Sequence, residues 1–248
     1  MHNDNKELAF RQNAKIAQAR HDFTLTENKI LMTLLYLADK YTASGEFSSE
    51  YGSISNTEGG KIITLPIKTI LGNDFKPDDP SKNYKHIISA MESFSHKHIS
   101  FRNDETKEWK TIEPLTSLIP REPASGYVAA FVVEPVWEFI TDMTDEYTSL
   151  RLDNILFMKS KYTVRMHQIV EGMIRPMTYK IETLKEMFML EQKYTKNHDF
   201  LKYVLDVAKN ELDELNLSSF NYDTKSIVKD KKRGTQPITH VIITPKHH

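Results

Sequence analysis

Residues Lys180 to Leu217, KIETLKEMFMLEQKYTKNHDFLKYVLDVAKNELDELNL, constrain the chain most, because they read as a helix, a connector and a longer second helix. In the second half, Phe200, Val204, Val207, Ala208, Leu212 and Leu215 recur at three- and four-residue steps, the spacing of one buried helix side. Lys202, Asp206, Lys209 and Asn210 fall on the opposite side. Asn197 is placed to cap the helix start, and Lys193, Thr195, Lys196 and His198 gather hydrogen-bond donors around it. Such an end approaches a phosphate or a base edge.

The remaining chain supplies context for that module. Its 248 residues are enough for one large or two ordinary domains and a substantial core without covalent staples. The absence of cysteine removes disulfides, thiolate metal sites and cysteine nucleophiles together, and fits a reducing compartment. The polar start, MHNDNKELAFRQNAKIAQ, carries no signal-peptide-like run, and no later segment approaches a membrane span, so a cytoplasmic protein is expected. The formal charge of −1 hides an asymmetry: residues 1–150 carry 16 Lys and Arg against 22 Asp and Glu (−6), and residues 151–248 carry 17 against 12 (+5). The basic part contains the helix pair.

Taken in order, Leu8 to Ala19 suggests a short helix or arm. Thr24 and Glu27 then form a capping box ahead of an apolar stripe of Ile30, Leu31, Leu34, Leu35 and Ala38. Tyr41 to Gly60, rich in Ser, Gly, Thr and Asn, reads as a loop or irregular strand. Ile62 to Leu65 reads as a strand, and Pro66 and Gly72 frame a helix of about two turns. From Ser81 to His96, Tyr84, Ile87, Ile88, Met91 and Phe94 follow helical spacing, with Lys82, Asn83, Lys85, His86 and Ser89 expected outward. This is the first half's candidate reading helix. Ile99 to Arg102 and Trp109 to Leu115 suggest a hairpin, followed by a strand at Tyr127 to Val133 and a short helix around Val136 to Ile140.

The acidic stretch DMTDEYTS suggests a boundary, giving domains 1–148 and 149–248. Beyond it, Ser160 caps a helix carrying Tyr162, Met166, Ile169, Val170 and Met173 until Arg175 and Pro176 end it. Helices at Thr183 to Met189 and Phe200 to Leu215 follow, and then strands at Phe220 to Tyr222 and Ile238 to Thr244. The loop between those strands holds Lys229, Lys231, Lys232 and Arg233, which suits a wing neutralising DNA phosphates. The order helix, helix, helix, hairpin thus occurs twice. The fold expected is α+β, two tandem winged-helix domains.

These residues resemble the Rep_3-type replication initiators of iteron-containing plasmids along nearly the whole chain. The matching stretches are FTLTENKILMTLLYLA, ITLPIKTILG with NYKHIISAMESFSHKHISF, LFMKSKYTVRMHQIVE, and LKEMFMLEQKYTKNHDFLKYVLDVAKNEL. The last pairs Leu184, Lys185 and Tyr194 with Phe200, Val204, Leu205, Ala208 and Glu211 at the family's spacing. The resemblance implies that the second domain reads direct repeats in double-stranded origin DNA through its third helix, and that the first adds contacts and serves dimerisation. Monomers on the repeats would open an adjacent AT-rich segment and recruit the host initiator and replicative helicase. Homodimers, in equilibrium with monomers, would repress the initiator's own promoter. Carried over, the second-domain contacts fall on Thr195, Lys196, Asn197, His198, Lys202 and Tyr203, with Lys231, Lys232 and Arg233 on the wing. The reading helix contains Asp199 and no arginine, so base contacts are expected from Asn197 or His198 rather than from an Arg–guanine pair.

Other functions leave weaker traces. A transcriptional regulator with the same two domains differs only in its target. A nicking enzyme needs a tyrosine and a metal held by two histidines flanking an apolar residue; the nearest stretch, His96-Lys97-His98, has Lys in the middle. Gly59, Gly60 and Lys61 resemble a phosphate loop only superficially, with Ser55 where the first glycine belongs. The acidic groups Asp78 and Asp79, or Asp142, Asp145 and Glu146, lie in loops without a ligand frame. No catalytic residue, metal or cofactor is expected.

Overall fold

A computed structural model describes residues 8–45, 47–102, 109–119, 121–144, 146–226 and 237–247. The predicted capping box is formed: the Thr24 hydroxyl accepts from the Glu27 N–H, and the Glu27 carboxylate accepts from the Thr24 N–H at 2.7 Å. These bonds satisfy the first orphan donors of a long helix, Leu25–Ser44. Its residues from Glu27 to Ala38 are buried on every side, so it is a core helix rather than the one-sided element its apolar stripe suggests. The polar groups drawn in with it find partners. Asn28 donates to the Phe23 and Thr24 carbonyls, and the Glu27 carboxylate receives the Lys97 ammonium at 2.8 Å.

Around that helix lie, in chain order, β1 (Ala9–Asn13), α1 (Ala14–Gln18), α2 (Leu25–Ser44), β2 (Phe47–Ser49), β3 (Gly52–Thr57), β4 (Gly60–Pro66), α3 (Ile67–Leu71), α4 (Pro80–Ser95), β5 (Ile99–Arg102), β6 (Trp109–Ile112), β7 (Ser117–Ile119), β8 (Tyr127–Val133) and α5 (Glu134–Thr141). β5 and β6 form the predicted hairpin. The segment from Tyr41 to Gly60, read as a loop or irregular strand, instead finishes α2 and supplies two regular strands of an antiparallel sheet ordered β2-β3-β4-β8-β7. Gly52 permits this. Its φ is +136°, and a Cβ there would sit 2.4 Å from the Thr64 carbonyl oxygen.

The second half follows as β9 (Tyr147–Arg151), α6 (Leu152–Phe157), α7 (Lys161–Glu171), β10 (Met177–Lys180), α8 (Ile181–Met187), α9 (Asn197–Phe200), a π-turn (Leu201–Leu205), α10 (Asp206–Glu214), β11 (Ser219–Lys225) and β12 (His240–Lys246). Ser160 caps α7 as expected, accepting from the Tyr162 N–H. The helix ends at Glu171, before Arg175 and Pro176, and the stretch after Pro176 forms a strand the sequence did not announce. β10 completes a three-stranded antiparallel sheet ordered β10-β12-β11. β9 pairs antiparallel with β1, from Ala9 opposite Arg151 to Asn13 opposite Tyr147, so the 148/149 position lies inside a strand anchored to the first residues described.

The stretch 197–214 is continuous helix, about 27 Å long at roughly 1.5 Å per residue. Phe200, Val204, Ala208 and Leu212 are all fully buried. A four-residue repeat drifts by about 40° per step on an ordinary α-helix. The π-turn inserts one extra residue and takes up that drift. It also moves Val207 and Leu215 off the buried stripe to which an α-helical period assigns them. They are 40% and 37% exposed.

Candidate nucleic-acid interface

The helix pair identified from sequence is present: α8, a connector containing Met189 at φ +52°, and the 197–214 helix. Leu184, Phe188 and Leu190 pin the first helix and connector into the core, beside Phe200 and Leu201 of the second. Glu211, one of the positions carrying the family resemblance, reaches back to the start of α7. Its carboxylate accepts from the Lys159 and Ser160 N–H groups and the Thr163 hydroxyl. The rod is therefore held at both ends while its outer flank stays open.

Asn197 differs from expectation. The helix N-cap is Lys196, no side chain caps it, and Asn197 occupies the first helical position. Its amide oxygen accepts from the buried Lys185 ammonium at 2.6 Å, and its amide nitrogen donates to the Ile238 carbonyl at 2.7 Å, with Glu182 Oε1 at 3.5 Å. One side chain thus ties α8, the 197–214 helix and the segment leading into β12. An amide so committed is a positioning group, and presenting it to a base edge would break bonds it already makes. Asn83 on α4 is a parallel correction. Expected outward, it is 3% exposed and bridges the Lys76 N–H and carbonyl through its amide.

The other carried-over residues stand outside. Thr195, Lys196, His198 and Lys202 are exposed, as is Tyr203 at 48%. On α4, Lys82, Lys85 and His86 are exposed too, but the N-terminus of that helix is filled by the Asp79 carboxylate, which accepts from the Lys82 N–H at 3.0 Å. The wing lysines Lys229, Lys231 and Lys232 and Arg233 lie outside the described residues.

Sequence reasoning named Lys193, Lys202 and Tyr203 singly but passed over the pairing of lysine with tyrosine at three places beside the helix: Lys161–Tyr162, Lys193–Tyr194 and Lys202–Tyr203. Each ammonium lies over the ring of its neighbour, at 5.6, 5.4 and 5.2 Å from the centroid. The repeated dipeptide was the available signal.

The two halves meet along a polar seam. Arg20 pairs with Glu191 at 3.0 Å, and the His21 N–H donates to the Met187 carbonyl. Arg165 of α7 is buried; its guanidinium donates to the Ile16 and Ala19 carbonyls and lies 5.7 Å from the Phe188 ring centroid. Burial pulls its pKa down to about 9, and His21 is held well below its ordinary value by burial and then by Arg165, Lys161 and Lys97. This seam fixes the second half's helix pair against the first half's N-terminal segment.

Lys97, the middle residue of the His96-Lys97-His98 stretch, is engaged by Glu27 and Asp22. Lys61 pairs with Glu134 at 2.9 Å inside a strand, which is not the geometry of a phosphate loop. Among the described residues no group of three or more His, Asp or Glu is arranged to hold a metal ion, and no helix is long and apolar enough to cross a membrane.

Family models match two successive regions of the chain, and the first of them takes in α7, which the repeated element order had assigned to the second half. Residues 9–171 match the first winged-helix domain of initiator replication proteins, and residues 180–245 match the second. The chain belongs to the Rep_3 replication-initiator family. The two matched regions meet between 171 and 180, downstream of the acidic stretch DMTDEYTS. Among solved structures, this initiator is similar to the Pi initiator protein, crystallised in complex with iteron DNA. The two share 14% identity and a TM-score of 0.63 over 97% of this chain and 98% of the other. At that identity the likeness establishes the shared tandem winged-helix fold.

Proposed function

We propose that this initiator binds direct repeats in a plasmid origin by laying the 197–214 helix in the major groove of each repeat. The observation that carries this reading is a groove-length helix, locked by Asn197 and Glu211, whose outer flank shows Lys196, His198, Lys202 and Tyr203 around a start capped by no side chain. Free N–H groups and ammonium ions at a helix start suit phosphates, and exposed polar side chains along the rod suit base edges. The relative crystallised with iteron DNA has the same two-domain fold.

On this reading the work is mechanical. Copies arrayed on the repeats strain and open a neighbouring AT-rich segment, and the exposed protein surfaces recruit the host initiator and replicative helicase. The first domain, from the N-terminal strand through α5, adds phosphate contacts through Lys82, Lys85 and His86 and mediates dimerisation. The dimer represses the initiator's own promoter. Lys229, Lys231, Lys232 and Arg233 act as the phosphate-contacting wing. No covalent step is involved.

The test is a footprint of the protein on DNA flanking its gene. Protection of several direct repeats beside an AT-rich segment is the expected result. Protection of a lone inverted repeat would instead make the protein a dedicated regulator. Persistent nicks, or a tyrosine adduct, in supercoiled origin DNA incubated with protein and a divalent metal would refute the non-covalent account.

A further inference from the structure

The three Lys–Tyr pairs belong to separate elements: Lys161 and Tyr162 open α7, Lys193 and Tyr194 lie in the connector, and Lys202 and Tyr203 lie in the π-turn. The fold brings them into one row. The Tyr162 and Tyr194 hydroxyls are 3.4 Å apart, Lys193 Nζ is 3.4 Å from the Tyr162 hydroxyl, and the Tyr194 and Tyr203 rings stack at 6.1 Å and 19°. Behind the row, Phe188 supports Tyr162 and Phe200 supports Tyr194. The rings are thus fixed to the core and hold the ammonium groups over their faces.

Lys61, Lys97, Lys209 and Lys246 each meet a carboxylate, whereas among the described residues Lys161, Lys193 and Lys202 form no ion pair. Lys161 is half-buried and its pKa is lowered, by burial first and also by Lys193 and Lys97, against the opposing pull of Asp22 and Glu27. Like charges gathered on a rigid aromatic base, without counter-ions, favour a polyanion.

We propose that these three pairs form a phosphate-gripping ridge. In it Lys161, Lys193 and Lys202, with the Tyr162 and Tyr194 hydroxyls, contact successive phosphates of the strand bordering the groove that the 197–214 helix enters. The proposal rests on the duplex-binding reading above and assigns to it contacts on α7 and the connector. A duplex backbone fits the row better than unpaired bases do. The Tyr162 and Tyr194 rings are already flanked by lysines and core aromatics, while the hydroxyl pair keeps one O–H free to donate to an anionic oxygen after the bond between them is made.

The experiment measures affinity of the full chain for a repeat-bearing duplex across a salt series, with far-UV circular dichroism and thermal melting as folding controls. Replacing Lys161 and Lys193 together with alanine is expected to reduce the log–log salt slope by about two, near 0.9 per lost phosphate contact, with similar affinity losses on repeat and unrelated duplexes. Arginine at both positions should restore the slope. Tyr194→Phe, which keeps the ring, should weaken binding several-fold while leaving the slope unchanged. An unchanged slope in a folded Lys161→Ala/Lys193→Ala variant, with a reduced slope for Lys196→Ala, overturns the ridge and leaves the helix reading intact. Failure of the wild type to bind any duplex overturns both. Tyrosine-dependent binding to a single strand that is tighter than binding to the duplex overturns the ridge in favour of base stacking.

Discussion

The two helices that a duplex could meet, α4 in the first half and 197–214 in the second, both show lysines to solvent, yet they begin in opposite electrostatic surroundings. At α4, Asp79 caps the first turn, with Asp74 and Asp78 close in the chain, so a carboxylate already occupies the place a phosphate would take. At 197–214 the cap is Lys196 with no side-chain bond to the helix start, Lys193 and His198 flank it, and the one carboxylate of the first turn, Asp199, does not cap it. On the proposed reading, the two helices differ less in their outward lysines than in whether a side-chain carboxylate caps the start. Each helix also pulls one asparagine inward: Asn83 to staple α4 to the loop before it, Asn197 to staple the rod to α8 and the residues just before β12.

The largest contrast should appear in DNA binding. Lys196→Ala/Lys202→Ala is expected to weaken duplex binding on the order of 10–100-fold and reduce the salt slope by about two, and Lys82→Ala/Lys85→Ala to change both much less. Equal losses in the two doubles would erase the distinction. Asn197→Ala should lower stability by about 1–3 kcal/mol in urea unfolding, because it strips the buried Lys185 ammonium of its acceptor, and Asn83→Ala should do the same for the Lys76 backbone. If Asn197→Ala folds with wild-type stability and only changes which sequence is bound, the side chain is a base reader after all.

Acid should act on both halves through buried imidazoles. His167 is held down to about 4 by burial, and His21 is also lowered. The unfolded chain therefore binds protons first as pH drops below about 6.5, and stability falls between there and pH 4, by roughly 3 kcal/mol for His167. Glu27 continues the trend at lower pH. Burial raises its pKa, but bonds from Lys97, Ser93 and Thr24 outweigh that and leave it lowered, so its contribution holds above its ordinary value of 4.5 and is lost below it. A melting temperature flat from pH 7 to 4 would contradict the buried, neutral state of these histidines. The smallest effect is expected from Asp79→Asn, which keeps a capping oxygen and removes the charge. It should cost α4 less than about 1 kcal/mol and raise its affinity for duplex of any sequence slightly.

Much of this arrangement was legible in the chain because the decisive forces were local. The Thr24–Glu27 box, the Ser160 cap and the apolar spacing of α4 each depend on neighbours within a turn or two. What escaped depends on distant partners. Phe47–Ser49 and Gly52–Thr57 carry mostly polar side chains, and their strand form comes from pairing outward from β4. β9 is defined by β1, more than a hundred residues earlier. Asn83 and Asn197 looked like surface groups because the carbonyls and ammonium that satisfy them are not adjacent in sequence. The four-residue step from Phe200 to Leu212 did announce a widened turn, but only to a reader who distinguished it from the 3.6-residue period.

Lysine acetylation with and without repeat-bearing duplex, read by peptide mass spectrometry, tests most directly where the DNA lies. Lys161, Lys193, Lys196 and Lys202 should become strongly protected by the duplex, and Lys82 and Lys85, as auxiliary phosphate contacts, protected to a smaller extent. Unchanged labelling at those four lysines, with protection confined to α4, would move the DNA to the first domain and contradict the account.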